Sequence, residues 1–181
     1  MGNATIATST TVSVAPATIA QTISGTGTLQ NLLTSPTANL NKFQINNTNS
    51  GGVTLQMPLS VSSTFTIDNG VLNTDATNLL IMKSTGSVSG AGAGKYVNGP
   101  MKREFSANSS TTSYTFPVGK SGYNPILIKP VTTSSTSLAE ITAEAFDANS
   151  GSSGTGVAVN TSRRWQALVT ANSSSLTSAV I

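Results

Sequence analysis

The sequence contains no cysteine and no histidine. Their absence excludes the usual Cys/His zinc sites, thiol nucleophiles and every Ser-His or Cys-His catalytic pair. It also excludes disulfides, so packing and hydrogen bonds must hold the chain together. From these residues we expect no metal site and no cofactor.

Charge is also scarce, since only 8% of the residues are Asp, Glu, Lys or Arg, against about 25% in an average soluble protein. The net charge is +3, and no segment is rich in Lys or Arg. Nucleic-acid binding through phosphate neutralisation is therefore not expected. Asp68 and Asp75 are the only carboxylates before residue 96, with Lys83 as the nearest cation in sequence. Acid–base catalysis needs clustered groups, so we predict no enzymatic activity.

Long apolar runs are missing as well. No stretch approaches the ~20 apolar residues of a membrane helix, so membrane insertion is not expected. The N-terminus lacks the basic start and apolar run of a signal peptide, and the last residues stop in an alternating strand pattern. We expect a piece of a longer protein, truncated at its C-terminus.

What the sequence does contain is a series of short, β-like apolar runs. Between residues 20 and 90 they recur about every ten residues, separated by turn formers such as Asn69-Gly70. Apolar residues alternate within them, as in Phe43/Ile45 and Phe65/Ile67. Strands this short and regular predict an irregular β-solenoid over residues 1–95, in which each coil stacks its apolar side chains on the next. A β-sandwich is the alternative for this part.

Residues 96–181 have longer strands and most of the charge. Alternation is clear in Tyr114/Phe116/Val118 and in Ile126/Ile128. The segment SLAEITAEAF (137–146) contains good helix formers, but strand neighbours favour a strand there too. This half is predicted to be a separate antiparallel β-sandwich. The complete fold class is therefore all-β, an irregular β-solenoid followed by an antiparallel β-sandwich.

The segment YVNGPMKREF (96–105) concentrates charge in an otherwise weakly charged chain. Strand alternation would put Met101, Arg103 and Phe105 on one side, and Lys102 and Glu104 on the other. An arginine that faces the apolar side indicates a covered junction. We predict that Lys102, Arg103 and Glu104 mark the point where solenoid passes into sandwich. Arg103 is expected to pair there with Glu140 or Glu144.

Two glycine motifs resemble phosphate sites without meeting their requirements. VGKSG (118–122) resembles the end of a P-loop, but Tyr114 stands where that loop needs its first glycine and no helix pattern follows. We predict a hairpin turn. GAGAG (90–94) lacks the spacing of a dinucleotide fingerprint. Glu140, Glu144 and Asp147 are expected to be solvated strand-face charges rather than a calcium cluster.

Two binding functions remain open as alternatives. Trp165 follows two arginines and could stack on a sugar, with Tyr96, Tyr114 or Tyr123 as further rings. A lone Trp at the start of an alternating strand more often anchors a sandwich core, and an exposed ring would favour binding. The Thr-x-Thr patterns Thr26/Thr28 and Thr64/Thr66 could form an ice-binding face, although Thr also simply favours exposed strand positions.

Several short motifs together resemble a known family. In order they are INN (45–47), GGVTL (51–55), PLSV (58–61), YVNGPM (96–101), TFPVG (115–119) and SRRWQ (162–166). Their order and spacing, over residues of about 40 to 170, are similar to a module of large secreted, adhesin-like surface proteins of Bacteroidota. Arg164 departs from that family's usual Tyr.

The resemblance implies export by the type IX pathway, an extracellular or cell-surface location, and no catalytic residues to carry over. We therefore expect a non-enzymatic structural or adhesive module that acts as a stiff spacer or attachment segment. Its expected partners are surface glycans or neighbouring domains of the parent protein. A carbohydrate-binding module is the first alternative and an ice-binding solenoid the second.

Overall fold

The computed structural model describes residues 21–24, 38–48, 50–108, 110–132, 136–148, 151, 155–156 and 160–181. In this part of the chain nearly all regular structure is β, with one short 3₁₀ helix at Ser173–Ser175. The strands are β1 (Gln21–Ser24), β2 (Ala38–Asn46), β3 (Val53–Thr54), β4 (Leu59–Asn69), β5 (Leu72–Asn73), β6 (Leu80–Met82), β7 (Ser87–Ser89), β8 (Val97–Asn98), β9 (Met101–Glu104), β10 (Tyr114–Phe116), β11 (Val118–Gly119), β12 (Ile126–Thr132), β13 (Glu140–Phe146), β14 (Arg164–Ala171) and β15 (Leu176–Val180).

Two sheets form the coils of a β-solenoid, and their strands pair in parallel from β1 to β9 in the larger sheet and throughout the smaller one. The larger sheet has the order β1-β2-β4-β6-β9-β13-β14, with β7 also paired to β4, and the smaller has the order β11-β8-β5-β3. The chain alternates between the two, so that β2, β4, β6 and β9 are separated by β3, β5 and β8. Each strand therefore pairs with its equivalent one coil further along.

Apolar side chains stack between the coils at equivalent positions. Phe43 pairs with Phe65, and Phe65 with Val88. The two phenylalanine rings are stacked, with centroids 5.5 Å apart. Both rings are buried, so the alternation in the sequence becomes one continuous row of packed side chains.

The antiparallel part begins at β9. On one side β9 pairs in parallel with β6, and on the other it pairs antiparallel with β13. A separate antiparallel sheet has the order β10-β12-β15. Its buried residues belong to the same core cluster as those of β9, β13 and the coils.

The predicted fold class is confirmed, including the strand in SLAEITAEAF, which is β13. The division at residue 95 stays a prediction. Strand pairing continues across that position, because β8 pairs with β5 and with β11. Residues on both sides of position 95 share a sheet and a core cluster.

Several sequence features fall outside the described residues. They include Thr26 and Thr28, which the sequence offered as part of an ice-binding face. Within the described residues, no helix is long and apolar enough to cross a membrane.

Candidate functional site

Strand β9, where pairing changes from parallel to antiparallel, carries the charged residues singled out in the sequence. We call this strand the seam. Met101, Arg103 and Phe105 are buried, while Lys102 and Glu104 are partly exposed on the other face. The exposed fraction of Arg103 is only 3%. The three charged residues therefore lie on the strand where pairing changes from parallel to antiparallel.

The guanidinium of Arg103 is held by backbone carbonyls. Its Nη1 donates to the Thr115 carbonyl at 2.9 Å, and its Nη2 donates to the Gly86 carbonyl at 2.5 Å. Gly86 lies just before β7 and Thr115 lies in β10. Arg103 thus connects the segment between β6 and β7 to the three-stranded sheet.

Aromatic side chains surround the same guanidinium. The Tyr114 ring lies beneath it, 5.2 Å from the ring centroid to Cζ. Phe105 packs edge-on against Tyr114, with centroids 4.9 Å apart. Burial lowers the pKa of Arg103 to about 10, a shift that Tyr114 partly opposes. Because 10 is still well above neutral, this buried residue carries its charge at pH 7.

The expected pairing of Arg103 with Glu140 or Glu144 is wrong. Lys102, its neighbour on the other face, bonds to Glu140 at 2.9 Å, and Lys83 bonds to Glu104. Glu104 and Glu140 stand opposite each other in the β9–β13 ladder. Each carboxylate therefore needs its own lysine, because two like charges directly across a strand pair repel.

A shallow depression crosses the outer face beside the seam. Its volume is about 290 Å³, near the lower limit of small-molecule sites. The lining residues are Ala76, Leu79, Pro100, Lys102, Thr142, Glu144, Gln166, Leu168 and Thr170. None of these is aromatic, so the depression offers no ring for sugar stacking.

Glu144, one of the residues that line this depression, has a shifted pKa. Burial raises its pKa above the usual value, while the charges of Lys120 and Arg164 oppose the shift. Glu144 stands opposite Gln166 in the β13–β14 ladder. The charge is therefore partly desolvated at neutral pH.

The carboxylates considered for catalysis or metal binding have structural partners. Asp75 accepts three hydrogen bonds of 2.8 Å, from the backbone amides of Thr77 and Asn78 and from Asn78 Nδ2. The Asn78 side chain, followed by the two backbone amides, lowers the pKa of Asp75. Asp68 accepts from Gln44, and Asp147 accepts from Ser121. Within the described residues no group of three such ligands could hold a metal ion.

The VGKSG segment is a turn, as predicted. Gly119 forms an antiparallel bridge with Tyr123. The Asn124 amide donates to the Val118 carbonyl at 2.9 Å. The backbone closes on itself and does not wrap a phosphate site.

The four rings considered for sugar binding differ in exposure. Tyr96 and Tyr114 are buried, and Tyr123 is partly exposed. Trp165 is 46% exposed, and its indole Nε1 donates to the Asn124 carbonyl at 3.0 Å. The expectation that Trp165 anchors the core is wrong, because it lies on an edge strand with little packed over it.

Thr64 and Thr66 do lie together on the outer face of β4. Their neighbours across the sheet are Lys42 and Ser87 for Thr64, and Gln44 and Ser89 for Thr66. In the described coils this face is therefore chemically mixed. It lacks the regular Thr array that ice binding requires.

Sequence reasoning missed two parts of this region. It did not identify the Gly86 and Thr115 carbonyls, because backbone groups leave no signal in residue identity. It also missed the pairing of Lys102 with Glu140, although strand alternation had already put Lys102 on the exposed face.

The comparisons with known proteins gave no match. No family model, no curated protein and no solved structure matches the chain.

Proposed function

We propose that this chain is a non-enzymatic, stiff spacer in an extracellular, adhesin-like surface protein. The observation that carries the proposal is the double role of β9. It is the last parallel strand of the coils and the first partner of the antiparallel strands. Tension along the molecule would thus pass through one hydrogen-bonded sheet.

The composition supports the same proposal. The chain contains no cysteine, and its described part holds no metal-ligand cluster. Its stability therefore rests on stacked coils, which need neither an oxidising compartment nor a metal supply. A secreted spacer of this kind works in any extracellular medium. The resemblance to Bacteroidota surface modules adds export by the type IX pathway to the proposal.

Single-molecule pulling tests the mechanical part. Cysteines introduced at the exposed Ser50 and Ser178 provide handles, since the chain has no cysteine of its own. A stiff spacer should show little extension and then one unfolding event. Stepwise loss of coils at low force would contradict the proposal.

Surface labelling tests the location. An antibody raised against the purified chain should stain intact cells of the source organism, and protease added outside should remove the signal. Staining that requires permeabilised cells would exclude a surface role, whatever the pulling experiment shows.

Carbohydrate binding is a second candidate, favoured by the exposed ring of Trp165. Binding on a glycan array that disappears in Trp165→Ala would support it. The matched control is Tyr123→Ala, which removes the other accessible ring. Absence of binding by the unmodified chain would eliminate this candidate.

A further inference from the structure

The edge strand β14 ends the eight-stranded sheet. One side pairs with β13 from Arg164 to Ala171. On the other side, no strand among the described residues pairs with it. All eight of its residues are partly or fully exposed, although five of them are Trp, Ala, Leu, Val and Ala.

From Trp165 to Val169 this edge lacks the features that prevent edge-to-edge pairing, and its register shift against β13 falls beyond Val169, where Thr170 is the extra residue. From Trp165 to Ala171 there is no charged residue, no proline and no glycine. Natural edge strands usually carry such residues, or are short or bulged. By comparison, the edge strands β10 and β11 have three and two residues.

On one face of β14, two exposed apolar residues lie at equal distances from Ala167 along the strand. Trp165, Ala167 and Val169 stand opposite buried alanine and isoleucine residues of β13, on the core side of the sheet. Yet Trp165 is 46% exposed and Val169 is 44% exposed. Each lies two residues from Ala167, one before it and one after it.

We propose that β14 pairs antiparallel with β14 of a second copy of this chain, about a two-fold axis at Ala167. Trp165 of each copy then stands opposite Val169 of the other, on the same face. Aromatic and β-branched residues are favourable cross-strand partners, and the symmetry forms the pair twice. On the opposite face, Gln166 of each copy stands opposite Leu168 of the other.

The charges of the strand are compatible with this arrangement. The two arginines, Arg163 and Arg164, lie at its beginning. Antiparallel pairing about Ala167 puts them opposite the uncharged Ala171 and Thr170 of the second copy. Parallel pairing would instead bring the arginines of both copies together. Arg164 is also held within its own copy, with Cζ 3.9 Å from the Phe146 ring centroid.

A single engineered cysteine tests the axis directly. Residues directly opposite in an antiparallel pair have Cα atoms about 4.5–5.5 Å apart, within the range that a disulfide bridges. Ala167→Cys should therefore form a disulfide-linked dimer under mild oxidation. Thr170→Cys is the matched control on the same strand. Its two copies would be about 20 Å apart and should remain unlinked.

Light scattering coupled to size-exclusion chromatography tests the unmodified chain. We expect a concentration-dependent dimer, with a blue shift in the emission of Trp165, the only tryptophan. Val169→Lys should give a monomer, because it removes the apolar partner of Trp165 and puts a lysine on the strand edge, where lysine prevents edge-to-edge pairing. Thr177→Lys, on the other sheet's edge strand β15, should leave the dimer unchanged. Circular dichroism of each variant verifies folding.

Three results would overturn the inference. The first is that the unmodified chain stays monomeric when its concentration is raised 100-fold. Another is equal cross-linking of the two cysteine variants. The third is a series of oligomers larger than a dimer, since a two-fold pairing closes after two copies. None of these results bears on the stiffness measured by pulling.

Discussion

At the scale of the residue, Arg103 is the least expected feature of the molecule. A buried charge is usually paired with an opposite charge, but here two carbonyls and an aromatic face take that role. Its Nε has no hydrogen-bond partner in the described structure. The two hydrogen bonds and the aromatic contact offset the cost of burying the charge, and together they connect three segments of the chain at one point.

Replacing Arg103 should destabilise the protein. Arg103→Met keeps the aliphatic stem but leaves the Thr115 and Gly86 carbonyls without their donor. Hydrogen bonds to charged groups contribute about 1.5–3 kcal/mol each, and relief of the buried charge offsets part of the loss. We expect a decrease of about 2–4 kcal/mol in the free energy of unfolding of the part that Trp165 fluorescence follows, measured by urea denaturation. Lys129→Met, at an exposed position on β12, should change it little, and an equal effect of both would refute this role.

Glu144 provides a pH-dependent prediction. Its folded pKa is raised, so between the unfolded and folded values the native state binds more protons than the unfolded state. Stability should therefore fall as pH rises through that window, which begins at the usual glutamate value of 4.5. Glu144→Gln should be slightly more stable than the unmodified chain at pH 7 and should lose this part of the pH dependence. Urea denaturation at pH 4, 5 and 7 measures it, and a Gln variant that is less stable at pH 7 would contradict the assignment.

At the scale of the element, the corner of the YVNGP segment shows what the sequence could predict. Asn98, Gly99 and Pro100 are turn formers by residue type, and the chain bends there, with a φ of +128° at Gly99. The sequence could not show that a Cβ at this position would lie 2.3 Å from the Thr74 carbonyl of the preceding coil. Local residue preferences predict that a turn occurs, whereas the close approach depends on how the coils stack.

A pair of glycine variants compares a turn position in open space with one pressed against the preceding coil. Gly94 also has positive φ, +70°, but nothing lies within 4 Å of a Cβ built there. Gly94→Ala should therefore cost only the conformational penalty, about 1–2 kcal/mol. Gly99→Ala adds the clash with Thr74 and the larger penalty of a φ of +128°, and should cost more than about 3 kcal/mol. Thermal unfolding of both variants measures the difference, and similar melting temperatures would exclude the steric contribution.

The same limit explains the error at Trp165. Trp165, Ala167 and Val169 alternate as a core-facing strand should, and register with β13 does put them on the core side. Burial also requires a layer packed over that face, and alternation within one strand does not report it. The pattern thus predicted the strand and its facing correctly, while the exposure of Trp165 and Val169 depends on the opposite sheet.

At the scale of the whole molecule, the shared core should make solenoid and sandwich unfold together. Buried residues from β2 to β13 belong to one cluster, and β9 is hydrogen-bonded to both parts. Long solenoids can lose cooperativity because each coil contacts only its neighbours, but few coils separate the seam from β2.

Trp165 fluorescence reports the sandwich, and hydrogen exchange at Phe65 and Ile67 reports the coils. In urea we expect both probes to give the same midpoint. In Arg103→Met, which weakens the connection at the seam, we expect the midpoints to separate, with the sandwich unfolding first because its edge strand β14 is the less buried. Coincident midpoints in this variant, or separate midpoints in the unmodified chain, would show that β9 does not couple the two parts.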